Sequence, residues 1–288
     1  MPARVVEISS HCKLEYTLNY LVYRTAEERK RIFLDEIAVL IVDSTAVAIT
    51  TALLTELTAR KINVIFCDSK HNPIAQLLPL HGSYDASISI QKQIGWTKED
   101  KDTIWQRIIT EKIKNQGIVL NKYFPNQGQR LFDSLDDIQP GDPTNCEGHC
   151  ANYYFSHLFG NDFKRDNQDE RNVFLNYGYA IILSQLNRTI AGQGYLTQIG
   201  FHHRGPTNPY NLSCDLREPF RPIVDDRIHS VTKEDFKDKL ITIPHVTVVI
   251  RGCKQSLCNA IDQYVASILS ARETHDFSQV AFRESYEL

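Results

Sequence analysis

Lys13-Leu14-Glu15-Tyr16-Thr17-Leu18-Asn19-Tyr20 alternates strictly: Leu14, Tyr16, Leu18 and Tyr20 face one way, Lys13, Glu15, Thr17 and Asn19 the other. A period of two belongs to a strand with one buried face. Around it stand further short, β-prone runs at Arg4–Ser9, Ile37–Val42 and Val64–Cys67, and at Ile74–Leu80 with Pro79 near its end. Between them Thr45–Arg60 carries Ala and Leu at helical spacing and predicts one helix. The chain up to Leu80 is therefore read as β-rich.

The turn-forming run His81-Gly82-Ser83-Tyr84-Asp85 ends the strand signals and marks a linker. It divides the chain into 1–82 and 83–288. Beyond it the period changes. Thr97 and Asp100 resemble a capping box ahead of a Trp105, Ile108, Ile109, Ile113 stripe. A second helix is predicted from Asp142-Pro143, with Ala151, Tyr154, Phe155, Leu158 and Phe159 inward. Asn172–Ala191 is apolar on most faces and predicts a central helix, and Ser256–Leu269 a further one. Val246–Ile250 is β-branched and predicts a short strand among the helices; the polar tail from Glu273 is expected to be mobile. The fold class is α+β.

With 288 residues, 42% of them hydrophobic, the chain can bury a substantial core, and its composition excludes a disordered or fibrous protein. No apolar run approaches the length of a membrane span. Seven cysteines and no apolar leader-like segment in the first residues lead us to expect reduced thiols and a cytoplasmic location. The net charge of −3 runs against the basic surplus of a nucleic-acid binder, so any such surface must be a local patch.

Three stretches carry chemistry. Glu147 shares a helical face with Ala151, Tyr154 and Phe155, and a carboxylate on a buried face needs a cation or hydrogen bonds to offset desolvation. An arginine ion pair would serve, as would a metal. In Gly200-Phe201-His202-His203-Arg204-Gly205 the two adjacent rings point apart, so only one serves a given site. In Asp215-Leu216-Arg217-Glu218-Pro219-Phe220-Arg221-Pro222 the acids three apart share a face only if the turn is helical, which Pro219 disfavours at Glu218. Two glutamates and one imidazole from separate segments suit Mg²⁺ or Mn²⁺, the imidazole leaning toward manganese.

These segments, in order and spacing, resemble the integrase of CRISPR adaptation, the first-numbered CRISPR-associated protein. The resemblance extends to Leu158-Phe159-Gly160-Asn161-Asp162-Phe163, to Asn176-Tyr177-Gly178-Tyr179 and to Asn63-Val64-Ile65-Phe66-Cys67-Asp68, loosening after Ile250. Length and the Phe-Gly-Asn-Asp-Phe run are most similar to the type II-A version. The resemblance implies a β-sandwich-like N-terminal domain that dimerises, followed by a larger all-α catalytic domain. It implies metal ligands at Glu147, His203 and Glu218, where many members carry aspartate at the third position, and Asp215 as an accessory acid. It also implies a homodimer that works with a dimer of the second-numbered CRISPR-associated protein.

Site chemistry and resemblance together imply a metal-dependent DNA nuclease and integrase: the 3′-hydroxyl of a short duplex attacks a phosphodiester at the repeat boundary. Arg204, Arg217 and Arg221 lie close in sequence to the ligands and would contact phosphates, or else pair with Asp215, Asp225 or Asp226. Rival readings are a plain nuclease without joining and a non-catalytic scaffold. Cys146, Cys150, Cys253 and Cys258 lack the spacing of a structural zinc site. Lys112, Lys114 and Lys122 are read as a solvent face, and Tyr153, Tyr154, Tyr177 and Tyr179 as core rather than as stacking platforms for bases.

Overall fold

The computed structural model describes residues 4–69, 73–80, 86–165, 167–229 and 231–287. It divides into two compact units, Met1–Tyr84 and Asp85–Leu288. The linker run His81–Asp85 lies outside the described residues.

In the first unit, β1 (Arg4–Ile8), β5 (Ile37–Val42), β7 (Asn63–Cys67) and β8 (Pro73–Leu77) form one sheet in that order. β1 and β7 run parallel to β5, whose residues are nearly all buried, while β8 returns antiparallel. A second sheet has the order β4 (Arg29–Phe33), β3 (Tyr20–Arg24), β2 (Cys12–Thr17), β6 (Val47–Ile49). Leu14, Leu21 and Leu34 share one core with Leu40 and Val64 and with Leu53 and Leu57 of α1 (Thr51–Ala59), which gives the unit its sandwich-like build.

Two expectations change here. Lys13–Tyr20 is not one strand: β2 and β3 pair antiparallel across Leu18-Asn19, both at positive φ (47° and 68°), the conformation of a two-residue hairpin turn. Leu18 consequently points to solvent, 81% exposed. Nor is Thr45–Arg60 a single helix. Its β-branched start pairs with β2, and the helix begins only after Thr50, whose side chain accepts the Leu53 N–H.

The second unit is mainly helical: α2 (Ala86–Ile94), α3 (Lys98–Tyr123), α4 (Gln129–Asp133), α5 (Cys146–Phe159), α6 (Glu170–Gly192), α7 (Asn211–Arg217), α8 (Arg221–Ile228), α9 (Phe236–Leu240) and α10 (Leu257–Thr274). It is not all-α. β9 (Thr247–Ile250) pairs antiparallel with β10 (Cys253–Ser256) and with β11 (Ser285–Glu287). The polar tail therefore packs back as the third strand, with Ala281 and Arg283 buried, because β9 offers it an open edge.

α3 opens on a reciprocal cap: Thr97 Oγ1 accepts the Asp100 N–H (3.1 Å), and the Asp100 carboxylate accepts the Thr97 N–H (3.3 Å). It then runs 26 residues and buries Trp105, Ile108, Ile109 and Ile113. Both α5 and the 3-10 turn Glu218–Phe220 pack against it. α6 is buried along most of its length. At Gly178 a Cβ would stand 2.5 Å from Val224 Cγ1, so glycine permits the close approach of α6 and α8.

Candidate active site

Glu147 lies in the first turn of α5. The helix starts later than Asp142-Pro143 predicts, because Asp142 caps from outside: its carboxylate accepts the N–H groups of Cys146 (2.8 Å) and Glu147 (3.0 Å). Glu218 opens the 3-10 turn that joins α7 to α8. It takes right-handed helical angles (φ −52°, ψ −43°) despite the following Pro219, so Asp215 and Glu218 do belong to one helical segment. Glu147 is half-buried, Glu218 almost wholly buried.

Both carboxylates converge on Lys112 of α3, a residue only 3% exposed. Its ammonium hydrogen-bonds Glu147 and ion-pairs with Glu218. Each carboxylate is thus one hydrogen bond from the same nitrogen. The reading of Lys112 as a solvent face is corrected. The signal was in the sequence, since Lys112 falls seven residues after Trp105 and four after Ile108, within the apolar stripe. Glu218 is also gripped by Arg221, whose Nη1 donates to both oxygens at 3.0 and 3.1 Å. Burial pushes the Glu218 carboxyl upward, but Arg221, Lys112 and Arg217 outweigh it and hold the group well below the carboxylate range.

Asp215, fully buried, frames the histidine. Its carboxylate accepts the backbone N–H groups of Phe201 (2.6 Å), His202 (3.0 Å) and His203 (3.0 Å), and meets His203 Nδ1 at 2.5 Å. A Cβ on Gly200 would stand 2.6 Å from Asp215 Oδ2, so only glycine lets the backbone fold around the acid. With Nδ1 bound to a carboxylate, His203 keeps its proton there and offers Nε2 as a lone-pair donor. The Asp215 hydrogen bond raises the imidazole pKa; burial opposes this, and the charges of Asp215, Glu218 and Glu147 add to it. Trp105 packs against both histidines: His202 stacks on it (4.2 Å, 6°), and His203 meets it edge-on (5.8 Å, 89°).

The structure therefore brings Glu147 and Glu218 together on one cation and sets His203 near enough to feel both charges. Among the described residues, no three His, Cys, Asp or Glu side chains close into a metal cage. Asp215 spends both oxygens on the 201–203 backbone and His203, which makes it a frame for the ring.

The arginines separate. Arg204 is exposed beside a cleft of about 520 Å³ that Lys101 and His203 also line. Arg221 holds Glu218, and Arg217 lies over the Tyr179 ring. The acids suggested as alternative partners are engaged elsewhere: Asp226 with Lys122, Asp215 with His203, Asp225 with Tyr179. Cys146 and Cys150 are buried with sulfurs 3.8 Å apart, and burial pushes the Cys146 thiol up to about 12.

The model of the family described as CRISPR associated protein Cas1 matches residues 6–241. A CRISPR-associated endonuclease Cas1 of Neisseria meningitidis serogroup C (strain 8013) is 31% identical over 278 residues, covering 93% of this chain and 91% of that protein. One from Francisella tularensis subsp. novicida (strain U112) is 27% identical over 243 residues, 76% of this chain and 75% of its own. Among solved structures, a casposase bound to integration product superposes with a TM-score of 0.77 at 19% identity, over 96% of this chain and 91% of the other. A CAS1 protein from Thermotoga maritima gives 0.76 at 14% identity, over 94% and 97%. A Cas6-RT-Cas1–Cas2 complex gives 0.75 at 16%, over 99% of this chain and 36% of that one.

Proposed function

The chain belongs to the Cas1 family, and from that premise we propose that it is the DNA endonuclease and integrase of CRISPR spacer acquisition, with Glu147, His203 and Glu218 as its working centre. The observation that carries the site is the convergence of Glu147 and Glu218 on Lys112, with His203 held beside them by Asp215.

Two carboxylates that already share one cation, with an imidazole nitrogen at their side, fit Mg²⁺ or Mn²⁺ by donor chemistry. Glu147, Glu218 and His203 would hold the ion, which when bound supplies charge stabilisation at the phosphate and favours the deprotonated attacking hydroxyl. The chain's own groups do the rest. Asp215 holds the ring through Nδ1 and leaves Nε2 for the ion, Arg221 fixes both Glu218 oxygens, and Lys112 keeps the carboxylates compensated in the free protein. In strand transfer the 3′-oxygen of the incoming duplex bonds to the target phosphorus. The bond from that phosphorus to the target strand's own 3′-oxygen breaks, and the departing oxygen takes up the proton that the attacking hydroxyl gave up. No protein nucleophile is required.

The incoming substrate is a short duplex with 3′-hydroxyl ends, and the target is a CRISPR repeat, in a type II-A-like setting. The likeness to a Cas1–Cas2 complex supports a Cas2 dimer as partner of a homodimer of this chain. We assign the work to the cytoplasm; no helix among the described residues is long and apolar enough to cross a membrane.

The test mixes this chain, Cas2, a fluorescent duplex with 3′-hydroxyl ends and a repeat-bearing plasmid in Mn²⁺ or Mg²⁺. Joined products are expected, abolished by EDTA and reduced at least about 100-fold by Glu147→Ala or His203→Ala. Cleavage without joining would leave a plain nuclease. Unimpaired joining by both variants would remove the chemistry from this site.

A further inference from the structure

Tyr179 of α6 carries three guanidinium groups around its buried ring: Arg221 at 4.5 Å from the centroid, Arg165 at 5.4 Å and Arg217 at 5.5 Å. They arrive from three places, the segment after α5, the end of α7 and the start of α8. The electron-rich face of the ring makes such crowding tolerable, but it does not cancel the mutual repulsion of three cations.

Two of the three are anchored. Arg221 is committed to Glu218, which Lys112 also shares. Arg165 is steered by the side-chain oxygens of Asn172 and Asn176. Arg217 differs: among the described residues it has no hydrogen-bond or ion-pair partner, and its Nε is sealed from solvent unsatisfied. The residue nonetheless keeps part of its surface accessible, as do Arg165 and Arg221. At such depth, against another arginine and with only the longer-range attraction of Glu218, an arginine without a hydrogen-bond partner costs stability that a bound anion would offset.

We propose that Arg217 and Arg165, spaced by Tyr179, form a phosphate-binding subsite for the DNA strand that enters the Glu147–Glu218 centre. The inference rests on the DNA reading above and adds the residues that seat the phosphate next to the reacting one. Arg221 joins the two places, since it holds both Glu218 oxygens and stands over the same ring as Arg217, which sets a phosphate on the Arg217 guanidinium close to the reacting centre. The planar guanidinium matches two phosphate oxygens at once, which an ammonium cannot do. Arg221 is a positioning residue for Glu218, and exposed Arg204 is no part of the subsite. Arg165 carried no signal in the sequence, since it stands well away in the chain from every ligand.

The experiment measures anisotropy of a fluorescein-labelled duplex with 3′-hydroxyl ends, in EDTA so that no metal contributes, across a series of NaCl concentrations. Wild type, Arg217→Ala, Arg217→Lys and Arg165→Ala are compared, each checked by thermal melting. Loss of one phosphate contact makes the slope of log K against log salt shallower by about 0.9 for a duplex, or about 0.7 for a single-stranded end. We expect that change for each alanine variant, with about tenfold weaker binding at the lowest salt. Arg217→Lys should keep the slope and lose affinity. Unchanged slope and affinity in Arg217→Ala would overturn the subsite. If wild type binds no duplex at low salt, the DNA reading itself fails. A second probe then decides the anion site: inorganic phosphate at constant ionic strength should raise the melting temperature of wild type more than that of Arg217→Ala, and equal shifts would overturn it.

Discussion

Lys112 shows how a single residue can report on a site that its neighbours in sequence do not reveal. A lysine in the middle of an apolar stripe is expensive to bury, and this one is tolerated because two carboxylates meet it. Removing it exposes what it balances. Lys112→Met keeps the length and deletes the charge, and breaking a buried pair in this way costs about 3–5 kcal/mol. The variant should melt well below wild type in EDTA, and added Mn²⁺ should raise its melting temperature more than that of wild type, because a divalent ion supplies the lost charge. Equal melting in EDTA with equal Mn²⁺ shifts would mean that the ammonium compensates nothing. At this scale much of the site was legible. Glu147 and Glu218 stood out as hard oxygen donors and His203 as an imidazole, from separate segments, and Lys112 could have been found by taking the α3 stripe literally. What sequence hides is the direction of a side chain: nothing in the spacing of Arg165, Arg217 and Arg221 says that they share one tyrosine ring, or that Asp215 spends its oxygens on backbone.

Elements were legible where one period ran uninterrupted, as in α3, α6 and α10, and misread where two backbone regimes share one pattern. Leu18-Asn19 continues the alternation of its strand, yet forms the turn, because pattern records polarity and not φ. Val47–Ile49 reads as the start of a helix until pairing with β2 is considered. The packing of α6 on α8 carries a testable consequence at the level of the helix pair. Asp225 of α8 lies buried against the Tyr179 hydroxyl of α6. Burial pushes its carboxyl up to about 6 from the usual 3.8, with Arg221 pulling the other way. A folded-state value above the unfolded one means that the folded protein binds the proton more tightly. This group therefore favours the fold below about pH 4, and that contribution is lost as the pH rises through about 6. Asp225→Asn keeps an acceptor for Tyr179 and removes the titration. It should gain stability over wild type on going from pH 5 to pH 8 by about 1.4 kcal/mol, the part of the two-unit linkage that lies above pH 5. Urea denaturation of both proteins at the two pH values measures the difference, and a constant gap would show that Asp225 ionises freely in the fold.

At the scale of the whole chain, a net charge of −3 conceals a local cluster of cations: Arg165, Arg217 and Arg221 gather on one tyrosine ring, and of the three only Arg221 is spent on a carboxylate, that of Glu218. Average charge is therefore a poor guide to a protein whose ligand meets only one face. The first unit raises a different question. Its β4 edge is guarded by exposed Arg29, Lys30 and Arg31, which discourage pairing with another strand. The opposite sheet ends on β8, where Ile74 is 66% exposed, and nearby Leu80 is 90% exposed. Apolar side chains exposed on a sheet edge are a liability in a monomer and an asset in a homodimer. We expect the full chain to run as a dimer in light scattering after size exclusion, and Ile74→Glu combined with Leu80→Glu to shift it to monomer without lowering the melting temperature of the second unit. Duplex binding at the arginine cluster should persist in that monomer, weakened only by the loss of a second binding site. A double variant that stays dimeric would place the contact elsewhere, and a wild-type chain that is monomeric at tens of micromolar would remove the homodimer from the proposed assembly.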